Sequence, residues 1–192
     1  MASKPRHSRS LQFPDHFSDG QITQNPLLPM ILTGVIAVTP DRSTNGWLKL
    51  AGPALRDAAA GCQLQVGAEA VVGPDPAFLA RTVKGFASQG CGLILISGGC
   101  GIGPDDITPE ALRSVARCEL PAFGEFLRRS LTPDAAAFST RALAAIVSET
   151  LVVALPGPIE ETIASLKALA PAIHQITGQV NAAPGQPDNP LA

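Results

Sequence analysis

A three-layer α/β/α sandwich around a mostly parallel sheet is the fold class this sequence predicts, and three observations predict it. Strand-like and helix-like segments alternate from residue 30 to residue 178. Most of the strand-like segments are continuous apolar runs, the pattern of strands covered on both faces. A glycine-rich turn then joins one such run to a helix start, the place where open α/β sheets hold their ligands.

The elements follow in order. Residues 30–39, MILTGVIAVT, form an unbroken apolar run that stops at Pro40, so they predict a buried strand. AGPALRDAAAG (51–61) places Pro53 near a helix start and Gly61 just past its end. QLQVGAEAVV (63–72) alternates enough for a strand. In 76–90 the residues Phe78, Leu79, Val83, Phe86 and Ala87 share one face of an amphipathic helix. GLILIS (92–97) is the next strand and TPEALRSVARC (108–118) the next helix. The segment 130–146 reads as helical from about Pro133, 149–157 as a strand, and 159–178 as a long closing helix or a helix pair. Residues 1–29 are expected to be a flexible arm, 30–180 the folded domain, and 181–192, rich in Pro, Gly and Asn, a flexible tail.

Composition narrows the functional classes. The chain has 192 residues, a net charge of −2 and one tryptophan, Trp47, with no tyrosine. Neither a basic surface nor aromatic stacking platforms are available, so nucleic acid is not an expected partner. The apolar stretch 27–38 is too short to span a bilayer and is broken by Pro29, and the N-terminus lacks the pattern of a signal peptide. Cys62, Cys91, Cys100 and Cys118 form no C-x-x-C pair and have no histidine at ligand spacing. Structural zinc is therefore not expected, and reduced cysteines in a cytoplasmic protein is the plain reading. Cys62, Cys91 and Cys118 are expected to fill the core.

The segment LILISGGCGIGPDDITPEAL (93–112) carries the chemistry. Glycines after a strand let the backbone turn with positive φ, and consecutive N–H groups there can cradle an anion. Thr108 suits an N-cap, Pro109 the first helical position, and Glu110 the helix dipole. The spacing is neither a Walker loop nor G-x-G-x-x-G. Asp105 and Asp106 beside an anion cradle would repel bare phosphate but suit one bridged by Mg²⁺. A tight glycine turn with a capped helix is the plainer alternative, and Asp75 and Asp106 have turn or cap roles on the same footing. Cys100 has no histidine placed as a base, because His7 and His16 lie in the arm and His174 in the last helix. A Cys-dependent hydrolase is thus poorly supported. Arg128 and Arg129 are either a solvated face or a reach toward a phosphate.

This segment resembles the signature of the molybdopterin adenylyltransferase family, which includes the G domain of gephyrin. The likeness runs from about Thr33 to Gly178. VTPDRSTNG (38–46) is similar to the family's opening motif, VVGPDP (71–76) to its V-P-D, ELPAFGEFLRRSL (119–131) to its E-x-P-G-F-G-E, and TLVVALPGP (150–158) to its T-L-I-V-N-L-P-G-S-P. The resemblance implies transfer of AMP from Mg-ATP to the terminal phosphate of molybdopterin. Carried over by position, it puts Ser97, Gly98, Gly99, Cys100, Gly101, Thr108, Pro156 and Gly157 at the phosphate and pterin. Asp41 and Arg42 fall in the opening motif. Asp75 and Asp106 become the catalytic acids and the Mg²⁺ ligands. It further implies a homotrimer or hexamer and a molybdate-insertion protein as partner.

Several motif positions depart from the family. Cys100 replaces threonine, Asp105 an arginine, Pro40 a serine, Lys49 an aspartate and Ala154 an asparagine, while Val147 stands where arginine is common. Pro158, Ile159 and Glu160 replace Ser-Pro-Lys. Two functions remain open on these residues: an active adenylyltransferase, and a weakened or inactive module that binds molybdopterin or a partner.

Overall fold

A computed structural model describes residues 30–39, 51–130, 138–156 and 158–181. The expected arm and tail, together with Pro40, Asp41, Arg42, Lys49 and Gly157, lie outside the described residues.

Among the described residues, six strands form one sheet: β1 (Ile31–Val38), β2 (Leu64–Val72), β3 (Leu93–Ser97), β4 (Cys118–Glu119), β5 (Leu143–Val147) and β6 (Thr150–Leu155). Their order is β2-β1-β3-β6-β5-β4. β2, β1, β3 and β6 run parallel, and β5 is antiparallel to both its neighbours. Five helices lie wholly within the described residues: α1 (Gly52–Gly61), α2 (Pro76–Ser88), α3 (Thr108–Arg113), α4 (Pro121–Ser130) and α5 (Ile159–Asn181). The α/β fold with a mostly parallel sheet is as expected.

Strand periodicity of two sorts the side chains into two cores. Leu93 and Leu95 of β3 and Leu151 and Val153 of β6 point to one face, where α1, α4 and α5 cover them with Leu55, Leu127 and Leu166. Ile94 and Ile96 of β3 and Val152 and Ala154 of β6 point to the other, under Leu79 and Val83 of α2 and Leu112 of α3. This two-sided cover makes the strands read as unbroken apolar runs. Register between β1 and β2 shifts at Thr33/Gly34, where Gly67 is the extra residue and a Cβ on it would meet Leu32 Cδ1 at 2.5 Å. The bulge reverses which face successive β2 residues take.

Four local expectations are corrected. Residues 143–146, read as part of a helix, belong with Val147 to strand β5, joined to β6 through Ser148 and Glu149. The helix at Thr108 ends at Arg113, and the chain returns to the sheet as β4. Cys118 is exposed on that edge strand instead of filling the core, whereas Cys62 and Cys91 are buried. Phe78 lies outside the buried face of α2, with the Arg81 guanidinium 5.6 Å from its ring centre. The last segment is one helix despite Pro171, whose missing N–H gives up one rung of the ladder. No helix among the described residues is long and apolar enough to cross a membrane.

Candidate functional site

The strand order β2-β1-β3 contains a switch point: the chain leaves β1 for one side, then crosses to the other. In parallel sheets a crevice opens at the C-terminal ends of the two strands flanking such a point. Here those ends are Val38 of β1 and Ser97 of β3, kept level by pairing of Ala37 with Ser97. A cavity of about 260 Å³ occupies the crevice, lined by Val38, Gly99, Gly103, Pro104, Asp105 and Asp106.

Glycine is needed in the loop for space and for conformation. Gly98 and Gly99 take φ of +94° and +69°. A Cβ on Gly98 would lie 2.4 Å from the Val38 carbonyl oxygen, and one on Gly99 would lie 2.4 Å from Thr108 Oγ1. Thr108 is fully buried, and it is the first residue of α3 and not its N-cap. Its hydroxyl donates to the Gly98 carbonyl at 2.8 Å, and its N–H donates to the Gly99 carbonyl at 3.0 Å. Asp106 caps neither end of α3. It closes the loop on itself: Gly103 N–H donates to Asp106 Oδ2 at 2.8 Å, and Asp106 N–H donates to the Gly103 carbonyl at 3.1 Å. A Cβ on Gly101 would sit 2.5 Å from Asp106 Oδ2 and would displace that carboxylate.

One residue that the sequence reading overlooked organises the far limb. Arg141, just before β5, donates its N–H to the Cys100 carbonyl at 2.7 Å and its Nε–H to the Gly101 carbonyl at 2.6 Å. The two remaining guanidinium nitrogens donate to the Asp106 carbonyl and to the Glu110 carboxylate. Burial alone would raise the Glu110 carboxyl, but its own backbone N–H, Arg141 and Arg113 outweigh that and hold it below the usual range.

The Cys100 side chain is buried and leans on the Gly98 carbonyl, 3.6 Å from its sulfur. Burial first, then the nearby Asp106 and Glu110 charges against the opposing Arg141, push its thiol up to about 12. A thiol so held is protonated at neutral pH, which removes it as a nucleophile.

Not every position expected at the site comes together. Gly98, Gly99, Cys100, Gly101, Asp106 and Thr108 form one constellation, and Ser97 ends the strand beneath it. Asp75 follows β2 at the same sheet edge, on the far side of β1. There it caps α2, accepting from Phe78 N–H at 3.0 Å, and it does not line the cavity. Pro156 follows β6 on the other side and is buried, its carbonyl accepting from the Thr162 hydroxyl at 3.4 Å. Arg129 pairs with Glu125 on the exposed face of α4, and neither Arg128 nor Arg129 lines the cavity. Val147 and Ala154 are buried in the core under α2 and α3, so those two departures are absorbed as packing.

Comparison with known proteins places this geometry. A family model described as "Probable molybdopterin binding domain" matches residues 35–175. A molybdopterin adenylyltransferase from Haemophilus influenzae is 41% identical over 83 residues, which are 41% of this chain and 42% of that protein. A molybdenum cofactor biosynthesis bifunctional protein from Chlorobaculum tepidum is 33% identical over 115 residues, 59% of this chain and 36% of that protein. The matched stretches thus span less than half the length of these two relatives. Among solved structures, the molybdopterin biosynthesis enzyme MoaB from Thermus thermophilus superposes with a TM-score of 0.69 at 29% identity, covering 78% of this chain and 98% of that one. A molybdopterin biosynthesis protein from Mycobacterium abscessus gives 0.72 at 27% identity, covering 80% and 98%. With the family model matching from the middle of β1 into α5, the chain belongs to the probable molybdopterin-binding domain family.

Proposed function

We propose that this protein acts in molybdenum cofactor biosynthesis, binding molybdopterin and transferring AMP from Mg-ATP to its terminal phosphate. The observation that carries the proposal is a row of unused donors at the switch point. Among the described residues, the N–H groups of Gly99, Cys100, Gly101 and Ile102 meet no acceptor, although the carbonyls of residues 98–101 on the same peptide planes are all engaged. Consecutive free amides at the mouth of an α/β crevice suit a phosphate.

In the proposed reaction, an oxygen of the pterin's terminal phosphate attacks the α-phosphorus of ATP. A new P–O–P bond forms, the bond from that phosphorus to the bridging β-oxygen breaks, and pyrophosphate leaves with the electron pair. Such a displacement asks the protein mainly for positioning and for neutralisation of charge, and the amide row supplies both. The chain's hard oxygen donors are compatible with Mg²⁺, which typically takes one or two carboxylates and fills its other positions with water and phosphate oxygens. Asp106 keeps Oδ1 without a hydrogen bond among the described residues, and no group of three candidate ligands surrounds it. Asp106 would therefore hold the ion together with the substrates' phosphates, while Asp75, which caps α2 across β1 and does not line the cavity, is left to the helix cap. When bound, Mg²⁺ supplies positive charge to the phosphates. The product would pass to a molybdate-insertion protein; the relatives named as bifunctional proteins of molybdenum cofactor biosynthesis are compatible with a second activity acting next to this one.

One observation favours a second reading, a binding module with weakened catalysis. Asp105 and Asp106 both line the cavity. At about 6 Å and an effective dielectric near 20, each carboxylate opposes a phosphate charge by roughly 2–3 kcal/mol. Anaerobic incubation with molybdopterin and Mg-ATP separates the two readings. The proposed enzyme forms adenylylated molybdopterin and one pyrophosphate per product. Binding of molybdopterin without pyrophosphate release would reject transfer and leave the binding module.

A further inference from the structure

We infer that Arg141 is a positioning residue that, together with Thr108, turns the amide row of the glycine loop toward the phosphate. The inference rests on the proposal that this loop cradles a phosphate, and it assigns a role to a residue no loop motif contains.

In a trans peptide the C=O of one residue and the N–H of the next point in opposite directions. Whatever holds four successive carbonyls therefore also sets the direction of four amides. Thr108 holds the first two carbonyls, Gly98 through its hydroxyl and Gly99 through its N–H, at 2.8 and 3.0 Å. Arg141 holds the next two, Cys100 through its N–H and Gly101 through Nε–H, at 2.7 and 2.6 Å. The amides set by these four planes are those of Gly99, Cys100, Gly101 and Ile102. They are the four that meet no acceptor among the described residues.

A loop with glycine at 98, 99, 101 and 103 does not hold such an orientation by itself, because glycine imposes little of its own on φ and ψ. The guanidinium suits the task, since its donors are fixed in one plane and can reach several acceptors at once. It also joins both limbs of the loop, taking the Gly101 carbonyl on one and the Asp106 carbonyl on the other. Its remaining donors reach Glu110, which anchors the fork to the first turn of α3. Lysine keeps the charge but cannot make this planar set of contacts.

The test uses the ¹⁵N-labelled full chain titrated with inorganic phosphate, reading each amide shift, with thermal unfolding as a check on the fold. In the unaltered protein the amides of Gly99, Cys100, Gly101 and Ile102 shift together with one Kd. Arg141→Lys keeps the main-chain N–H on the Cys100 carbonyl and loses the Nε–H on the Gly101 carbonyl, so it should abolish the response of Ile102 while those of Gly99, Cys100 and Gly101 persist, and should raise Kd by about tenfold, as loss of charge-assisted contacts does. Thr108→Val keeps the main-chain N–H on the Gly99 carbonyl and loses the hydroxyl on the Gly98 carbonyl, so it should silence Gly99 and leave the other three amides responding. If Thr108→Val does not fold, Arg141→Lys and Arg141→Met carry the test between them. A uniform weakening across all four amides in Arg141→Met, with Arg141→Lys unchanged, would mean that Arg141 contributes charge alone and would overturn the inference. The absence of any phosphate response in the unaltered protein would overturn the cradle itself, and the inference with it. A normal response there with equal responses in the Arg141 variants would overturn the inference alone.

Discussion

Gly98 shows how narrowly a single residue is determined at this site. Its φ of +94° is open to glycine and strained for other residues, and the nearest atom to an added Cβ would be a backbone oxygen that cannot swing away. Gly98→Ala should therefore cost about 2 kcal/mol or more, counting left-handed strain and the contact with Val38 together. A fall in the urea midpoint at constant m-value would register it, and an unchanged midpoint would contradict it. At this scale the glycines, Asp106 and Thr108 were legible in the sequence, because a turn needing positive φ and a helix start leave local signatures. The role of Thr108 was not legible, since its hydroxyl is taken by a carbonyl ten residues away and not by the helix that it begins. Arg141 left no signature at all. Three of its targets are main-chain carbonyls, which every residue type presents, and the fourth, the Glu110 carboxylate, lies 31 positions back along the chain.

Among the elements, the parallel strands β1, β3 and β6 announced themselves as unbroken aliphatic runs, and α2 through its Pro76 start and amphipathic stripe. β5 did not. Its sequence, LAAIV, is alanine-rich and follows further alanines, so intrinsic propensity favoured a helix. Tertiary pairing overrode that preference: β5 lies between β6 and β4 with all five residues buried. The β5–β6 hairpin was hidden as well, because its two-residue turn, Ser148–Glu149, carries no glycine or asparagine. Ser148 takes φ of +55° there, which costs an L-residue about 1 kcal/mol. Ser148→Gly should accordingly stabilise the protein by roughly 0.5–1 kcal/mol after allowance for the freer unfolded chain. Chemical denaturation measures this, and a loss of stability would show that the serine side chain makes a compensating contact.

For the whole molecule, the sheet separates two cores and places the crevice at the one edge where β1, β3 and α3 meet. Burial on both sides of the sheet has a consequence for pH. It raises the thiols of Cys62 and Cys91 and pushes that of Cys100 up to about 12, against an ordinary value of 9.0. A raised folded value means that the native state keeps protons which the unfolded chain gives up. The stability contribution is thus complete below pH 9 and is lost as pH rises toward 12, at up to about 1.4 kcal/mol per pH unit for Cys100. Urea midpoints from pH 8 to 11 should fall, and less steeply in Cys100→Ala; parallel slopes would refute the assignment. A homotrimer is the proposed assembly, supported by the low charged share of 16% and by side chains as exposed as Phe138. Light scattering should return three times the chain mass, and a monomer mass at all concentrations would refute it. The proposed division of labour within one crevice has the loop amides bind the phosphate and the Asp106 carboxylate serve transfer. Asp106→Asn tests it most directly, because the amide oxygen still accepts from Gly103 N–H and only the charge is lost. Measured side by side, kcat for adenylylation should drop on the order of a hundredfold while the molybdopterin Kd stays within about threefold. Equal kcat in the two proteins, or a Kd that weakens as much as kcat falls, would contradict the account.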